Sequence, residues 1–551
     1  MKLPKTPLAQ TVIQLCKAKG IKHIIISPGS RNAPLTIGFT NHSFFTCYSI
    51  VDERCAAFFA LGIAQQLKEP VALVCTSGSA LLNYYSAIAE AYYSDIQLVV
   101  LSADRPKYLI DIGDGQTINQ ENVFANHILY SAILIEDDLQ NSEREINKTL
   151  NTAITQHGPV HINIPFEEPL YDMIDEFSVF PKYIDAINEI ESIEDISEYR
   201  SHWDIAKRIM VLVGVNAPNL VEQKHLDILA NDERVIVFTE TTSNLHHDNF
   251  FPSIDKIIAP LNDEEFKHLQ PDILLTFGGL IVSKKVKAFL RDFSPKHHWH
   301  IDPKKANDTF FCLDTHFKYS VNHFFDSFFE GYESLPSDYK SIWEIVKKTR
   351  QLRHDVYLDT IPYSDLKVFD SILKTIPDDC ILQLGNSSTI RYSQLFDLNQ
   401  TLKVYCNRGT SGIDGSTSTA IGASVVSNVQ TVFITGDLSF FYDSNALWNN
   451  YIPSSFRIIV INNSGGGIFR ILPGHKNTDN FDIYFETKHS LTAKQLCDMF
   501  GFEYYIANNL EDINSNLPAF YKNSSQPKLL EIFTPRKVND NVLLNYFKSI
   551  K

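Results

Sequence analysis

The stretches VFITGDLS (Val432–Ser439) and IIVINNSGGG (Ile458–Gly467) decide the fold class of this chain. Each opens on a continuous run of β-branched and apolar residues, the pattern of a strand buried on both faces of a parallel sheet. Each closes on small polar residues: Gly436-Asp437 in the first, Asn462-Asn463 and three glycines in the second. A helix-length segment lies between them, so the pair reads as one β-α-β unit. Similar runs stand on either side. HIIISPGS (His23–Ser30), VALVCTSGS (Val71–Ser79), LVVLSADRP (Leu98–Pro106) and VHINIP (Val160–Pro165) come first. IMVLVGVN (Ile209–Asn216), VIVFTE (Val235–Glu240) and ILLTFGG (Ile273–Gly279) form a middle group. ILQLGNSS (Ile381–Ser388), VYCNRG (Val404–Gly409) and LLEIF (Leu529–Phe533) complete the last. The class is α/β, with mostly parallel sheets flanked by helices.

An acidic, strand-poor stretch (Ile184–Tyr199) and a charged helical segment (Lys340–Asp359) separate the three groups. They predict three domains: 1–183, 184–340 and 341–551. A length of 551 residues suits that division and buries several cores without disulfides or structural metals. A formal charge of −16 argues against nucleic-acid binding through a general basic surface. No apolar run is long enough for a membrane helix, and the N-terminus lacks a signal-peptide core. Eight scattered cysteines without a C-x-x-C pair read as reduced thiols, and the expected location is the cytoplasm.

In parallel α/β sheets ligands bind beyond the carboxyl ends of the strands, so the residues there are the candidates for chemistry. Asp437 and Asn463 end neighbouring strands. A carboxylate, a carboxamide oxygen and a loop carbonyl make half an octahedron for Mg²⁺, leaving room for phosphate oxygens and water. Gly465, Gly466 and Gly467 let backbone approach a diphosphate, whose charge a following helix N-terminus favours. A strand-end turn with an Asx cap is the plainer reading. Glu53 follows Asp52 at the start of an apolar helix, where it can be a functional carboxylate or complement the helix dipole. Arg31, Arg105, Arg391 and Arg408 fall beside glycine or small-residue turns. In an acidic chain they suggest a site for carboxylates, which the planar guanidinium fork matches; each alone also suits a surface ion pair. His297, His298 and His300 lack a cysteine or carboxylate partner at metal-ligand spacing and read as structural. Neither a G-x-S-x-G elbow nor a P-loop occurs.

GDLS and INNSGGGIF resemble the GDG…NN motif of thiamin-diphosphate enzymes, with Leu438 where many members carry glycine. SPGSRNAPL (Ser27–Leu35), VDER (Val51–Arg54), TSGSALLNYYSAIAEA (Thr76–Ala91), LSADRP (Leu101–Pro106), GNSSTIR (Gly385–Arg391) and NRGTSGIDG (Asn407–Gly415) follow in order. Together they resemble the menaquinone-pathway family of 2-succinyl-5-enolpyruvyl-6-hydroxy-3-cyclohexene-1-carboxylate synthases; the middle group matches loosely. The resemblance implies the thiamin-diphosphate-binding fold, with pyrimidine-binding, central and diphosphate-binding domains in that order. It implies thiamin diphosphate and Mg²⁺ or Mn²⁺ as cofactors, 2-oxoglutarate and isochorismate as substrates, and a homodimer or homotetramer with sites between subunits. Glu53 is the implied catalytic residue, bonding the aminopyrimidine ring that takes the thiazolium proton. Ser30, Arg31, Arg105, Gln116, Lys284, Ser387, Arg391 and Arg408 would line the substrate side. Glu53, Ser387, Ile413, Asp437, Leu438, Ser439, Asn463, Gly465, Gly466, Ile468, Phe469 and Leu472 would hold the cofactor, and Asp437, Asn463 and Gly465 the metal. Ile413 resembles the buttress beneath the bent cofactor, although by periodicity alone it and Ile468, Phe469 and Leu472 could be plain core. A related thiamin-dependent decarboxylase or carboligase, a flavin or nicotinamide oxidoreductase, and a catalytically silent binding protein are the alternatives. No strand-linked G-x-G-x-x-G supports the oxidoreductase.

Overall fold

The computed structural model describes residues 2–187, 195–472, 474, 476 and 478–551. The acidic stretch expected to separate the first two domains falls partly, over 188–194, outside the described residues. Three parallel sheets follow one another along the chain. The first holds six strands, His23–Ile26, Thr46–Ser49, Val71–Cys75, Leu98–Asp104, Tyr130–Ile133 and Val160–Pro165. The second holds five, Ile209–Val213, Val235–Thr239, Ile273–Phe277, His297–Ile301 and Thr315–Phe317. The third again holds six, Ile381–Leu384, Lys403–Tyr405, Thr431–Gly436, Arg457–Asn462, Glu503–Ala507 and Lys528–Phe533. Nearly every residue of the central strands is buried, which explains their unbroken apolar runs. Leu3–Pro4 pairs antiparallel with Met173–Ile174 as a small separate ribbon.

With strands numbered in chain order within each sheet, the first and third sheets share one spatial order, 2-1-3-4-6-5. The repetition is absent at the level of sequence motifs. In both, the connection from the edge strand back to the third strand carries a helix: Glu53–Leu67 in one, Ser416–Val425 in the other. These two helices cross in close contact, and each supplies a glycine at the crossing. A Cβ on Gly62 would lie 2.1 Å from the Thr419 carbonyl oxygen, and one on Gly422 would lie 2.0 Å from that of Phe59. Backbones this close leave no room for a side chain. Around the crossing one core is shared by both domains. Ile25, Leu73 and Val100 of the first sheet and Phe433, Ile458 and Val460 of the third belong to it. Alternate residues face a private core on the far side of each sheet, Ile24 and Val74 in one and Leu382 and Ile434 in the other.

The central sheet docks on the third domain through the turn after Val235–Thr239. Asn244 brackets Val404 of an edge strand, donating to its carbonyl oxygen at 2.9 Å and accepting from its N–H at 2.8 Å. Beside it, the Thr241 N–H and hydroxyl both donate to Gln394 Oε1, at 2.9 and 2.8 Å. The 22-residue helix Tyr339–Thr360 joins the two domains. Among the described residues no helix is long and apolar enough to cross a membrane, and all eight cysteines are free.

Candidate active site

Strands Thr431–Gly436 and Arg457–Asn462 are parallel neighbours with Gly436 opposite Ile461, so Asp437 and Asn463 emerge at the same edge. Asp437 is buried; its Oδ1 accepts from the Leu438 N–H at 2.7 Å and its Oδ2 from the Gly465 N–H at 3.0 Å. Leu438 stands in the first turn of the helix Asp437–Tyr442, where no left-handed backbone is needed, so the departure from glycine leaves the turn intact. Asn463 is also buried. Its Nδ2 donates to Asp365 Oδ2 at 3.0 Å, while its Oδ1 has no hydrogen-bond partner among the described residues. A buried carboxamide oxygen without a donor is costly unless a cation or water completes it. Orphaned beside a carboxylate, it suits a hard divalent ion. His489 Nε2 lies 3.2 Å from Asp437 Oδ2 but off the hydrogen-bond direction.

The glycine loop is tightly held. Gly465 has φ +150°, and a Cβ there would meet the Glu486 carbonyl oxygen at 2.6 Å. The carboxylate of Glu486, wholly buried, is clamped by Arg470 and Arg536, and Arg470 also reaches Asp482 at 3.0 Å. Above this loop Ile413, Phe469 and Leu472 are more than one-third exposed, and Ile468 is half-buried. They are not core; they present apolar surface at the strand ends. Ser439 donates to the Ile413 carbonyl oxygen at 2.7 Å, tying the helix Asp437–Tyr442 to the segment before Ser416–Val425.

The neighbouring strand ends carry the arginines. Ser387, which follows strand Ile381–Leu384, has φ +66° and ψ −121°, a strained conformation for a residue with a side chain. Its carbonyl oxygen accepts from Arg391 Nη1 at 2.6 Å, and Arg408 Nη1 donates to Asn386 Oδ1 at 2.7 Å. Neither guanidinium has a carboxylate in ion-pair contact among the described residues, and Arg408 Nε is buried without an acceptor. Burial and the nearby Arg408 charge push the Arg391 pKa down. Asp255 and Glu240 act on these two cations only from beyond ion-pair contact, a setting that suits an anion. Arg391 departs from the expected turn position, since it lies in the one-turn helix Ser388–Ser393.

The other two arginines have acidic partners, against expectation. Arg31 Nη2 lies 3.2 Å from Glu168 and Nη1 donates to the Phe166 carbonyl oxygen at 2.9 Å; its buried Nε has no acceptor among the described residues. Arg105 Nε pairs with Asp114 at 2.9 Å. Ser30 and Gln116 are exposed, and the Gln116 carbonyl oxygen accepts from the Ser77 hydroxyl at 3.0 Å. The nearby Gln120 is buried and structural, donating to Asn163 at 2.7 Å and accepting from the Gly78 N–H at 2.9 Å. Lys284 is exposed at the start of the helix Lys284–Asp292.

Glu53 begins its helix after an Asp52 cap and is half-buried, with Oε2 3.4 Å from Asn83 Nδ2. Its neighbour Arg54 donates to the Tyr442 carbonyl oxygen, at the end of the helix Asp437–Tyr442 away from Asp437. No hydrogen bond or ion pair among the described residues joins Glu53 to the glycine loop of its own chain.

Several supporting groups escape sequence reading. Glu90 accepts from the Gly409 and Thr410 N–H groups at 2.7 and 2.6 Å, so the first domain fixes the arginine-bearing loop of the third. Its signal is a lone carboxylate in the apolar helix Tyr85–Ser94. Glu240 of the central domain accepts from the Val282 and Ser283 N–H groups, both at 2.7 Å, at the N-terminus of the helix that carries Lys284. Burial pushes its carboxyl up to about 7. Lys287, half-buried on the same helix, has its pKa lowered mainly by burial. No motif marks either residue.

Known proteins resemble the chain along its length. The family described as thiamine pyrophosphate enzyme, N-terminal TPP binding domain, matches residues 6–126. Several curated relatives carry the name 2-succinyl-5-enolpyruvyl-6-hydroxy-3-cyclohexene-1-carboxylate synthase. That of Christiangramia forsetii is 60% identical and covers 100% of both chains. That of Flavobacterium psychrophilum is 57% identical over 99% of each. That of Porphyromonas gingivalis is 38% identical over 98% of this chain and 96% of its own.

Proposed function

We propose a working arrangement for this site from the premise that the chain belongs to the 2-succinyl-5-enolpyruvyl-6-hydroxy-3-cyclohexene-1-carboxylate synthase family of thiamin-diphosphate enzymes. The chain is a transferase of menaquinone biosynthesis that uses thiamin diphosphate. Its substrates on this reading are 2-oxoglutarate and isochorismate: the first loses CO₂, and its remaining four-carbon unit adds to the alkene of the second. When bound, thiamin diphosphate supplies the electron sink for that decarboxylation. Asp437, Asn463 through its orphaned Oδ1, and a Gly465 carbonyl would hold Mg²⁺ or Mn²⁺ against the diphosphate. Ser387, Leu438, Ser439, Gly466, Ile468, Phe469 and Leu472 would surround the cofactor, with Ile413 beneath it. Glu53 would hold a proton at the aminopyrimidine ring.

The observation that carries the substrate reading is the pair Arg391 and Arg408, two adjacent guanidiniums with no carboxylate in ion-pair contact among the described residues. Each substrate brings two carboxylates, which those cations, with Ser30, Arg31, Arg105, Gln116 and Lys284, would bind and orient. Among the described residues Glu53 makes no hydrogen bond or ion pair to the glycine loop of its own chain, which supports a site shared between two chains, hence a dimer or a tetramer. Free cysteines support a cytoplasmic protein.

Isochorismate consumption by the purified protein tests the assignment, with 2-oxoglutarate, thiamin diphosphate and Mg²⁺ omitted in turn. Loss that requires all three is the expected result. CO₂ release from 2-oxoglutarate with isochorismate untouched would leave the cofactor site standing and reject the acceptor.

A further inference from the structure

The helix Tyr339–Thr360 buries one face against the central and third domains, through Trp343, Arg350, His354 and Leu358 among others. Its opposite face is uncovered among the described residues. Ile342, Ile345, Leu352 and Val356 are 48, 66, 68 and 66% exposed there. With half-buried Thr349 between them, they recur at steps of three, four, three and four residues. A solvated connecting helix has no need of such a stripe; the spacing is that of a coiled-coil seam, with Ile342, Thr349 and Val356 at a and Ile345 and Leu352 at d.

The flanking charges select both the occupant and its direction. Lys348 and Asp355 fall at g, and Val346 and Arg353 at e. A parallel pair would set Lys348 against the partner's Arg353, two like charges. An antiparallel pair sets g against g, so Lys348 meets the partner's Asp355, and the two-fold axis repeats that ion pair. The layers then stack Ile345 on the partner's Val356 and Thr349 on the partner's Leu352. Lys348 makes no ion pair among the described residues, and Asp355 accepts from Gln351 Nε2 at 2.9 Å. Neither end of the new pair makes an ion pair among the described residues, although Asp355 lies within the field of Lys256.

We propose that this face joins two copies of the chain through an antiparallel coiled coil of about two heptads. The buried side already fixes the helix, so association orders side chains without having to form the helix itself. The contact uses other residues than the two-chain cofactor site proposed above and does not depend on it.

Sedimentation of the full-length protein tests the contact, comparing wild type with the double substitution Ile345→Glu/Leu352→Glu. Both positions are exposed, and an unchanged circular-dichroism spectrum checks folding. The expected result is a twofold loss of assembly mass. Lys348→Asp alone should weaken the assembly, and adding Asp355→Lys should restore it. A double variant that keeps the wild-type mass overturns the proposal, whatever else covers the stripe. Loss on Lys348→Asp that the charge swap fails to restore overturns the antiparallel register. A variant reduced to two chains leaves both interfaces standing; one reduced to a monomer keeps the coiled coil and rejects the two-chain cofactor site.

Discussion

Asn463 shows how a single residue can declare its task. Its Nδ2 is anchored on Asp365 at 3.0 Å, which fixes the amide and leaves Oδ1 buried and without a partner among the described residues. The sequence made Asp437 and Asn463 legible because both end apolar runs. The anchor Asp365 was not legible, since it comes from a helix remote in sequence and becomes relevant only by folding. Glu53 differs: its helix-starting position is visible, and its role rests on the resemblance. Replacement by Gln keeps the shape and removes the acid. The Glu53→Gln protein should still bind thiamin diphosphate in calorimetry while turnover drops at least about a hundredfold, roughly 2.7 kcal/mol of transition-state stabilisation. Near-normal turnover would take Glu53 out of the mechanism.

At the scale of elements, the crossing of Glu53–Leu67 with Ser416–Val425 controls how the first and third domains meet. Adding a methyl group at Gly422, 2.0 Å from the Phe59 carbonyl oxygen, forces the helices apart. Gly422→Ala should cost about 1–3 kcal/mol through overpacking, read as a melting temperature lowered by several degrees. Gly115→Ala, where a Cβ meets nothing within 4 Å, should leave the melting temperature unchanged. The individual strands were readable from unbroken apolar runs. The shared 2-1-3-4-6-5 order was not, because buried strands of any sheet draw on the same Val, Ile and Leu and hide a repeated topology. The arginine setting was half readable: turns flag the residues, but Glu168 and Asp114, which pair with Arg31 and Arg105, come from separate loops.

Over the whole molecule, stability at low pH depends on two opposed sets of buried groups. Burial lowers His161 and His354 to about 3 and His298 and His300 to about 4. Their ordinary value is near 6.5, so their contribution is present above that pH and lost as pH falls toward 4. Burial raises Asp365 and Asp443 to about 6 and Glu240 to about 7. Those carboxyls act the other way, favouring the folded chain below their ordinary values and losing that contribution as pH climbs through 6 to 7. Four histidines outweigh three carboxyls below about pH 6. The melting temperature of the metal-free protein should be nearly flat around pH 7 and decline from pH 6 to 4. A rise over that interval would contradict the balance.

The core that the first and third domains share has a consequence for biosynthesis. The first sheet and the helix Glu53–Leu67 that lies on it are complete once Pro165 is made, yet the helix Ser416–Val425 that packs on the other side of Glu53–Leu67 begins about 250 residues later. At ordinary elongation rates the ribosome needs on the order of 10 to 50 s to cross that gap. During that interval the side of Glu53–Leu67 that carries Phe58 and Gly62 stands wet on the nascent chain. The N-terminal half should therefore engage chaperones during translation, and expressed alone it should aggregate.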